Sequence, residues 1–344
     1  MTSCEGGSTA YLFPGQGSQY VGMGADLCAA FPVARETFAL ADRVLGISLS
    51  RLCAEGPEDE LRDTAVTQPA IFTHSIAAYR VLLTGGNREA AVGPAETRWP
   101  QRLGPGPAAT GAYSAGHSLG EYSAYVASGA LEFEDGLRLV RRRGELMGEA
   151  SRAHPGAMAA VLGLTGSQVV EALRSVQGVV RAANLNSPGQ VVISGEVAAV
   201  EAAMERVRAA GAKRVVRLEV GGAFHSPLME AAAAGLAAML ESTPMRTPTG
   251  VVLANESAAP VSGDVGEIRA SLVRQLLSTV RWEETIRSLI QLGVTRFVEI
   301  GPGRVLIGLA RATAKADAEP AGNRGELEFV ALGDTEQMHA ALAT

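Results

Sequence analysis

The sequence predicts an α/β protein in two parts: a large subdomain with a parallel sheet covered on both faces, and a small inserted subdomain of the ferredoxin-like type. Over most of the 344 residues, short apolar strands alternate with helical patterns, which is typical of parallel sheets. Segment 153–221 instead follows the order βαββαβ, the ferredoxin-like pattern. The alternation then resumes, so we expect the large subdomain to comprise residues 1–152 and 222–344.

The first half of the large subdomain carries strands that end in glycine-containing turns. A short buried strand is predicted at 11–13 in "TAYLFPGQGSQYVGMG", and helical patterns follow at 34–45 and 68–83. Residues from about 86 to 111 are rich in Gly, Pro and polar side chains, and they predict a long exposed loop. The stretch "AYSAGHSLGEYSAYVASGAL" then predicts a strand, a sharp turn and a helix.

The small subdomain and the closing segment are predicted from the same kind of pattern. Strands are expected in "AMAAVLGL", "VVRAANL", "QVVISG" and "KRVVRLEV", with helices at 167–175 and 196–210. After "GGAFHSPLM" we expect a strand in "GVVLAN", then helices, a strand at 296–300, and the turn "GPG" before a closing helix. This order returns the chain to the parallel sheet.

Composition excludes several classes of function. Hydrophobic residues make up 47% and charged residues 19% of the chain, which is typical of a globular protein with a substantial core. The net charge of -6 disfavours nucleic acid as a partner. Cys4, Cys28 and Cys53 have no metal-ligand spacing and form no disulfide framework. We find neither a signal peptide nor an apolar run of about 18 residues. These features predict a cytoplasmic protein with no membrane partner and no bound metal.

The strongest chemical signal lies in the turn "GHSLG". This string matches G-x-S-x-G between a predicted strand and a predicted helix, the context that a nucleophile elbow requires. Glycines allow the sharp turn, and they lift the hydroxyl of Ser118 above the sheet. The N–H of Leu119 opens the helix and can face a developing oxyanion. A serine that only caps the helix is the alternative, but the complete context favours a nucleophile.

A serine nucleophile needs a base, and the chain has five histidines. His117 adjoins Ser118 in the strained turn, so its ring should point elsewhere. His225 follows two glycines and precedes a proline at the end of a predicted strand, and such irregular backbone often carries site residues. The other three lie in a helical pattern, a boundary loop and the C-terminal stretch, respectively His74, His154 and His339.

His339 is the main rival of His225, because α/β-hydrolases place their histidine last in the chain. Its surroundings, "TEQMHAALAT", indicate a solvated terminal helix, so we favour His225. No Asp or Glu stands out as a third member. A Ser–His dyad oriented by a carbonyl or an amide is therefore expected.

One arginine in "LRLVRRRGELM" lies on the wrong face of its helix. At about 100° per residue, Arg143 falls within the apolar stripe, whereas Arg141 points away from it and Arg142 lies near its edge. A buried guanidinium is costly unless an anion meets it. An arginine that reaches solvent from the stripe edge is the alternative, and the central position of Arg143 disfavours it.

Seven strings together carry a family resemblance. "FPGQGSQYVGMG", "GHSLGEYSA", "RRRGELM", "NSPGQVVISG", "AFHSPLM", "LVRQL" and "EIGPGRVL" occur in this order over nearly the whole chain. In this the sequence resembles the malonyl-CoA:acyl carrier protein transacylases and the acyltransferase domains of polyketide synthases. The resemblance implies an α/β-hydrolase-like large subdomain with a ferredoxin-like small one. It also implies malonyl transfer from coenzyme A to an acyl carrier protein, with no bound cofactor and the coenzyme A thioester as substrate.

The resemblance further implies a ping-pong mechanism with an acyl-serine. Ser118 attacks the thioester while His225 takes its proton, and the N–H groups of Leu119 and Gln16 hold the oxyanion. Arg143 matches the arginine that binds the free carboxylate of the malonyl group. Four other residues are implied in lesser roles: the main chain of Gln275 orients the histidine, Phe224 limits the size of the acyl group, and Asn186 and Gln68 line the site.

Three alternatives stay open at this point. The first is a hydrolase that releases acyl groups from carrier proteins, and the second is a non-catalytic subunit that docks a carrier. The third is another acyl-CoA substrate such as methylmalonyl-CoA. The chain has no recognisable ketosynthase and no carrier-site motif, so we expect a free-standing enzyme and, by default, a monomer. Residues 206–217, "RVRAAGAKRVVR", are either a docking edge for an acidic carrier or a solvated surface.

Overall fold

The computed structural model describes residues 8–86, 106, 107, 109, 111–317 and 326–343. The predicted loop at 86–111 lies mostly outside the described residues, as does Cys4. Within the described part of the chain, no helix is both long enough and apolar enough to cross a membrane. Cys28 and Cys53 are free thiols.

Nine strands in the described residues form two sheets. The strands are β1 (Ser8–Phe13), β2 (Tyr113–Gly116), β3 (Gly156–Leu162), β4 (Val180–Ser187), β5 (Gln190–Glu196), β6 (Arg214–Arg217), β7 (Val251–Leu253), β8 (Val294–Ile300) and β9 (Glu328–Leu332). Five of them pair in the order β7-β2-β1-β8-β9, and every pair is parallel. The predicted parallel sheet is confirmed.

Helices surround these sheets. They are α1 (Ala25–Ala30), α2 (Pro32–Leu45), α3 (Leu49–Glu55), α4 (Glu58–Arg62), α5 (Thr64–Thr84), α6 (Gly120–Ala127), α7 (Phe133–Ala153), α8 (Gly166–Leu173), α9 (Val197–Ala209), α10 (Glu230–Ser242), α11 (Val265–Leu277), α12 (Trp282–Gln291), α13 (Val305–Ala316) and α14 (Thr335–Leu342). A short 3-10 turn covers Pro227–Met229.

Both faces of the five-stranded sheet are buried. Successive side chains of a strand point to opposite faces. Accordingly, Tyr11 and Phe13 of β1 pack in one apolar core with α5, α6 and α7, whereas Ala10 and Leu12 pack in a second core with α12 and α13. Burial on both faces explains why the strands appear in the sequence as short continuous apolar runs. The large subdomain is this sheet with its helices.

The other four strands form the small subdomain with α8 and α9. They pair in the order β4-β5-β3-β6, all antiparallel, and their apolar face packs on the two helices. The order βαββαβ with β3 and β5 in the centre is the ferredoxin-like arrangement. Hydrogen bonds between Ala183 or Leu185 of β4 and Val280 fasten this sheet to the large subdomain.

Several predicted boundaries were wrong, and one strand was missed. The last strand of the small sheet ends at Arg217. Leu218 keeps one hydrogen bond to Met158 of β3, and Leu218 and Val220 line a cavity. The helices predicted at 167–175 and 196–210 end at Leu173 and Ala209. Strand β9 was not predicted, because "EFVAL" is a short edge strand that is only partly buried, and its signal is therefore weak. The helix predicted to close the chain is consequently followed by β9 and α14.

Candidate active site

The turn between β2 and α6 can be built only with glycine on both sides of the serine. A Cβ at position 116 would lie 1.9 Å from the carbonyl carbon of Gly120, and a Cβ at position 120 would lie 2.0 Å from the carbonyl oxygen of Phe13. Between them Ser118 adopts a φ of 52°, in the left-handed region that residues other than glycine rarely adopt. This strained turn presents the Ser118 hydroxyl to a cavity.

The Ser118 hydroxyl hydrogen-bonds to a histidine, and that histidine hydrogen-bonds to a main-chain carbonyl. The Oγ of Ser118 lies 2.8 Å from Nε2 of His225, and Nδ1 of His225 lies 3.0 Å from the carbonyl oxygen of Gln275. Because a carbonyl oxygen only accepts, Nδ1 carries the ring proton and Nε2 accepts from the serine hydroxyl. The arrangement is a dyad oriented by a carbonyl, with no carboxylate of the described residues bonded to the ring.

The environment keeps this histidine neutral. His225 is 3% exposed, and its φ of 57° shows that the "GGAFHSP" segment holds it in a constrained conformation. Burial, and to a lesser extent the nearby Arg143 guanidinium, lowers the pKa of His225 to about 3. A neutral imidazole can accept a proton, so the pair has the chemistry of a nucleophile and its base.

Arg143 lies beside the same serine. The side chain is 1% exposed, its Nη1 donates to Oε1 of Gln68 at 2.8 Å, and its Nη2 donates to Oγ of Ser118 at 3.1 Å and to Oε1 of Gln275 at 3.2 Å. No carboxylate in the described residues forms an ion pair with it, and its Nε has no partner there. Burial lowers its pKa, yet a guanidinium stays charged in proteins. A buried cation without an anion therefore adjoins the serine.

Two backbone N–H groups near the serine are free to bind a ligand. Neither Gln16 nor Leu119 donates its N–H to another group of the described residues. The loop of Gln16 can approach the elbow only because residue 15 is glycine, where a Cβ would lie 2.2 Å from the carbonyl oxygen of His117. The N–H of Ser118 itself is occupied, since it donates to Oδ1 of Asn255 at 2.6 Å.

The serine and histidine open into a cavity of about 380 Å³ between the two subdomains. Its walls include Gln16, Phe224 and Asn186 of the predicted residues, together with apolar side chains of β3, β5 and α13. Asn186 does not contact the serine: its Oδ1 lies 2.9 Å from Nε2 of His117. Three further predicted residues are buried, are joined by hydrogen bonds and do not line this cavity, namely Gln68, Arg143 and Gln275. The expectation that Gln68 lines the site does not hold for this cavity.

The remaining histidines do not contact Ser118. His117 faces Asn186 and the ring of Trp282, at a centroid distance of 5.5 Å. His339 is exposed on α14 against Phe31. His74 is buried in α5, and burial lowers its pKa to about 4. His154 is exposed at the end of α7. Among the described residues, no group of three His, Cys, Asp or Glu side chains could hold a metal ion.

Sequence reasoning missed two polar residues of this site. Asn255 bonds the elbow on both sides, because its Nδ2 donates to the carbonyl oxygen of Gly116 at 2.7 Å. Glu121 is 0% exposed in the first turn of α6, and its Oε2 accepts from Nε2 of Gln275 at 2.9 Å. Both carried a signal: Asn255 follows a parallel strand at its carboxyl end, where sites form, and Glu121 belongs to "GHSLGE".

Fold and site together define a class, the α/β enzymes that carry out acyl transfer. Comparison with known proteins gives the particular family. The chain belongs to the acyl transferase domain family, whose model matches residues 10–93 and 99–329. The resemblance inferred from the seven motifs is therefore confirmed.

Individual relatives agree with the family. The malonyl CoA-acyl carrier protein transacylase of Bacillus subtilis is 42% identical over 338 residues, which is 97% of this chain and 96% of the relative. The Escherichia coli transacylase of the same name is 42% identical over 93% of this chain and 99% of its own length. A solved malonyl transacylase in complex with its type II polyketide acyl carrier protein superimposes with a TM-score of 0.84 at 41% identity, covering 97% of this chain and 99% of that one. The two-subdomain fold is thereby confirmed.

Proposed function

We propose that this protein transfers a malonyl group from coenzyme A to the phosphopantetheine thiol of an acyl carrier protein, through an acyl-serine, in fatty acid or polyketide synthesis. The observation that carries the proposal is Arg143, a buried guanidinium without a carboxylate partner, 3.1 Å from the Ser118 hydroxyl. In a substrate that has a free carboxylate next to its thioester, the carboxylate would pair with Arg143 while the thioester carbonyl lies at the Ser118 hydroxyl. The names of the relatives support the same substrate.

In the first half-reaction Ser118 Oγ attacks the thioester carbonyl carbon, and Nε2 of His225 accepts the hydroxyl proton. The Gln275 carbonyl stabilises the resulting imidazolium through Nδ1–H. The N–H groups of Leu119 and Gln16 bind the oxyanion, and each such donor contributes about 3 kcal/mol. The tetrahedral intermediate collapses, the carbon–sulfur bond breaks, and coenzyme A leaves with the proton from His225.

The second half-reaction runs in the opposite sense with a different thiol. The phosphopantetheine thiol of the carrier gives its proton to His225 and attacks the acyl-serine carbonyl carbon. The bond from Ser118 Oγ then breaks, and the hydroxyl recovers its proton from His225. Because both thiols enter the same cavity between the subdomains, a ping-pong sequence follows.

Acyl selection rests on two contacts. Arg143, held by Gln68 and Gln275, binds the free carboxylate with both terminal nitrogens. Phe224 lies in the cavity wall beside His225 and fills the space that an α-methyl group would need. A methyl group in an apolar pocket changes the free energy by about 1–3 kcal/mol, so malonyl over methylmalonyl is a preference.

The test of this function is a transfer assay with malonyl-CoA and a phosphopantetheinylated carrier protein. We expect malonyl-carrier to form much faster than free malonate, because the guanidinium of Arg143 binds the free carboxylate of the substrate. Faster release of free acid would identify the hydrolase instead. Failure of malonyl-CoA to label the protein at all would revive the non-catalytic carrier-docking subunit.

Three further expectations belong to the proposal. The boundaries at 153 and 221 are supported by the four-stranded sheet, whose strands begin at Gly156 and end at Arg217. The free thiols of Cys28 and Cys53 support a cytoplasmic location. A monomer is the expected oligomeric state.

The rate of serine acylation should change little on acidification. Because the pKa of His225 is lowered to about 3, its ring stays neutral in moderately acidic solution. A histidine with an ordinary pKa of about 6.5 would lose about thirtyfold in its neutral fraction between about pH 7 and about pH 5. Rapid-quench mass measurements of acyl-enzyme formation check this. Glu121→Gln is the control. The pKa of Glu121 is raised by burial to about 7, so this carboxyl group titrates in the range of the experiment and its substitution removes that contribution. A thirtyfold loss in both proteins would contradict the prediction.

Reversing two charges on the small subdomain should weaken the carrier half-reaction alone. Lys213 and Arg214 are exposed at the edge strand β6, just before the chain enters the cavity wall, and neither forms an ion pair with a described residue. Carrier proteins are typically acidic, so Lys213→Glu with Arg214→Glu should raise the KM for the carrier about threefold or more. The KM for malonyl-CoA should stay constant.

The control for this substitution is a matched double reversal on the large subdomain, at the exposed residues Lys315 and Arg43, neither of which forms an ion pair with a described residue. An unchanged carrier KM in the small-subdomain variant, or an equal rise in both variants, would show that 206–217 is a solvated surface and not a docking edge.

A further inference from the structure

A buried carboxylate lies next to the site, and the mechanism above gives it no role. Glu121 is 0% exposed, three residues after the serine and in the first turn of α6. Its Oε2 accepts from Nε2 of Gln275 at 2.9 Å and from the N–H of Asn255 at 3.0 Å. Burial of a carboxylate costs free energy. The two hydrogen bonds offset part of this cost, and they fix the positions of Gln275 and Asn255.

Gln275 connects this carboxylate to every reacting part of the site. Its main-chain oxygen accepts from His225, its Oε1 accepts from Arg143, and its Nε2 donates to both the carbonyl oxygen of Ser118 and Glu121. Only one orientation of the amide satisfies these contacts, since a guanidinium only donates and a carboxylate only accepts. With the amide reversed, an NH₂ group would face the guanidinium. Glu121 therefore helps to keep an acceptor directed at Arg143.

The same geometry explains how Arg143 stays buried without a direct ion pair to a carboxylate of the described residues. Glu121 is the carboxylate of the described residues whose charge acts most strongly on Arg143, but the side chain of Gln275 separates the two groups. A direct ion pair would occupy a guanidinium nitrogen that a substrate carboxylate needs. A carboxylate one side chain away balances part of the charge and leaves the guanidinium available.

We propose that Glu121 is a positioning residue for carboxyacyl selection, which acts through the side-chain amide of Gln275 to hold Arg143 beside Ser118. The inference rests on the proposed function, since it concerns the arginine that receives the substrate carboxylate. It assigns to Glu121 no contact with substrate and no proton transfer. Its signature is a loss of discrimination between malonyl and acetyl groups, not a uniform loss of rate.

The test measures acyl-serine formation from malonyl-CoA and from acetyl-CoA by intact mass. In Glu121→Leu the amide of Gln275 keeps the Ser118 carbonyl as an acceptor and loses the carboxylate. The ratio of malonyl to acetyl rates should therefore fall about tenfold, the effect of one unsatisfied buried hydrogen bond. Glu121→Gln keeps an acceptor oxygen and should restore most of that ratio. Equal losses with both thioesters, or no rescue by glutamine, would overturn the inference.

A second pair of variants tests the route through Gln275. Gln275→Leu keeps the main-chain carbonyl and removes the amide, so it should reproduce the loss of discrimination even if Glu121→Leu does not fold. In the double variant the effects should not add, because the two residues act through one contact. Fully additive effects, or an unchanged ratio in Gln275→Leu, would contradict the proposal. Ser123→Ala, buried in the same helix without a partner among the described residues, controls for general disturbance of α6.

The unmodified protein separates this inference from the function on which it rests. If it takes up malonyl and acetyl groups equally well, the proposed function fails, and the positioning role of Glu121 fails with it. If it selects malonyl and Glu121→Leu still selects malonyl equally well, only the positioning role fails.

Discussion

Ser118→Ala is expected to abolish covalent labelling by malonyl-CoA, and transfer to the carrier should fall about a thousandfold or more. The hydroxyl of Ser118 lies 2.8 Å from Nε2 of His225, its base. Removal of a nucleophile leaves only the contributions of binding and of the oxyanion donors. Intact mass after incubation with malonyl-CoA gives the first readout, and carrier acylation gives the second.

Ser123→Ala is the matched control for this experiment, because it removes a buried serine hydroxyl from α6, the helix that follows the Ser118 turn. It should label as the unmodified protein does. A malonyl adduct that persists in Ser118→Ala would place the acyl group on another residue, and the mechanism would have to be rebuilt from that residue.

Arg143→Ala should remove the preference for malonyl-CoA. Loss of one partner from a buried, hydrogen-bonded charge pair costs about 3 kcal/mol, which corresponds to about a hundredfold or more in the rate of malonyl loading. Acetyl loading should change much less, because an acetyl group has no carboxylate for the guanidinium. The two rates are compared by intact mass with malonyl-, methylmalonyl- and acetyl-CoA.

Arg142→Ala is the control for the arginine, since it removes the adjacent guanidinium, which pairs with Glu145 and Glu149 on the exposed side of α7. Its selectivity should match that of the unmodified protein. If the unmodified protein loads acetyl as readily as malonyl, Arg143 is no carboxylate anchor. A hydrolase or a broader acyltransferase would then describe the chain better.

The fold was largely predictable because local patterns agree with the packing. Strands buried on both faces form short apolar runs, and their parallel pairing follows from the helices between them. Edge strand β9 escaped prediction, since it is short and only partly buried, so its apolar pattern is weak. Strand β6 was predicted too long, because the apolar residues that follow it, Leu218 and Val220, line the cavity.

The candidate site was predictable in its main residues and not in its connections. Ser118 stands in a motif with local geometry, and the helical period alone directed Arg143 to the interior. Asn255 and Glu121 stand at positions typical of sites, one after a parallel strand and the other just behind the serine turn, but no local pattern gives their partners. Their partners lie more than a hundred residues away along the chain, so only the folded structure brings them to the elbow and to Gln275.

The sequence by itself determined most of the strands, the strained serine turn and the burial of an arginine, because each depends on residues within one or two turns of chain. The sequence also favoured His225 as the base, with a carbonyl or an amide as its partner. Only the tertiary structure shows the distances from His225 to the serine and to the Gln275 carbonyl, and that no carboxylate of the described residues pairs with the arginine. Those contacts join β2, α7, α11 and the segment before α10, and no periodicity within one element specifies a distance to another.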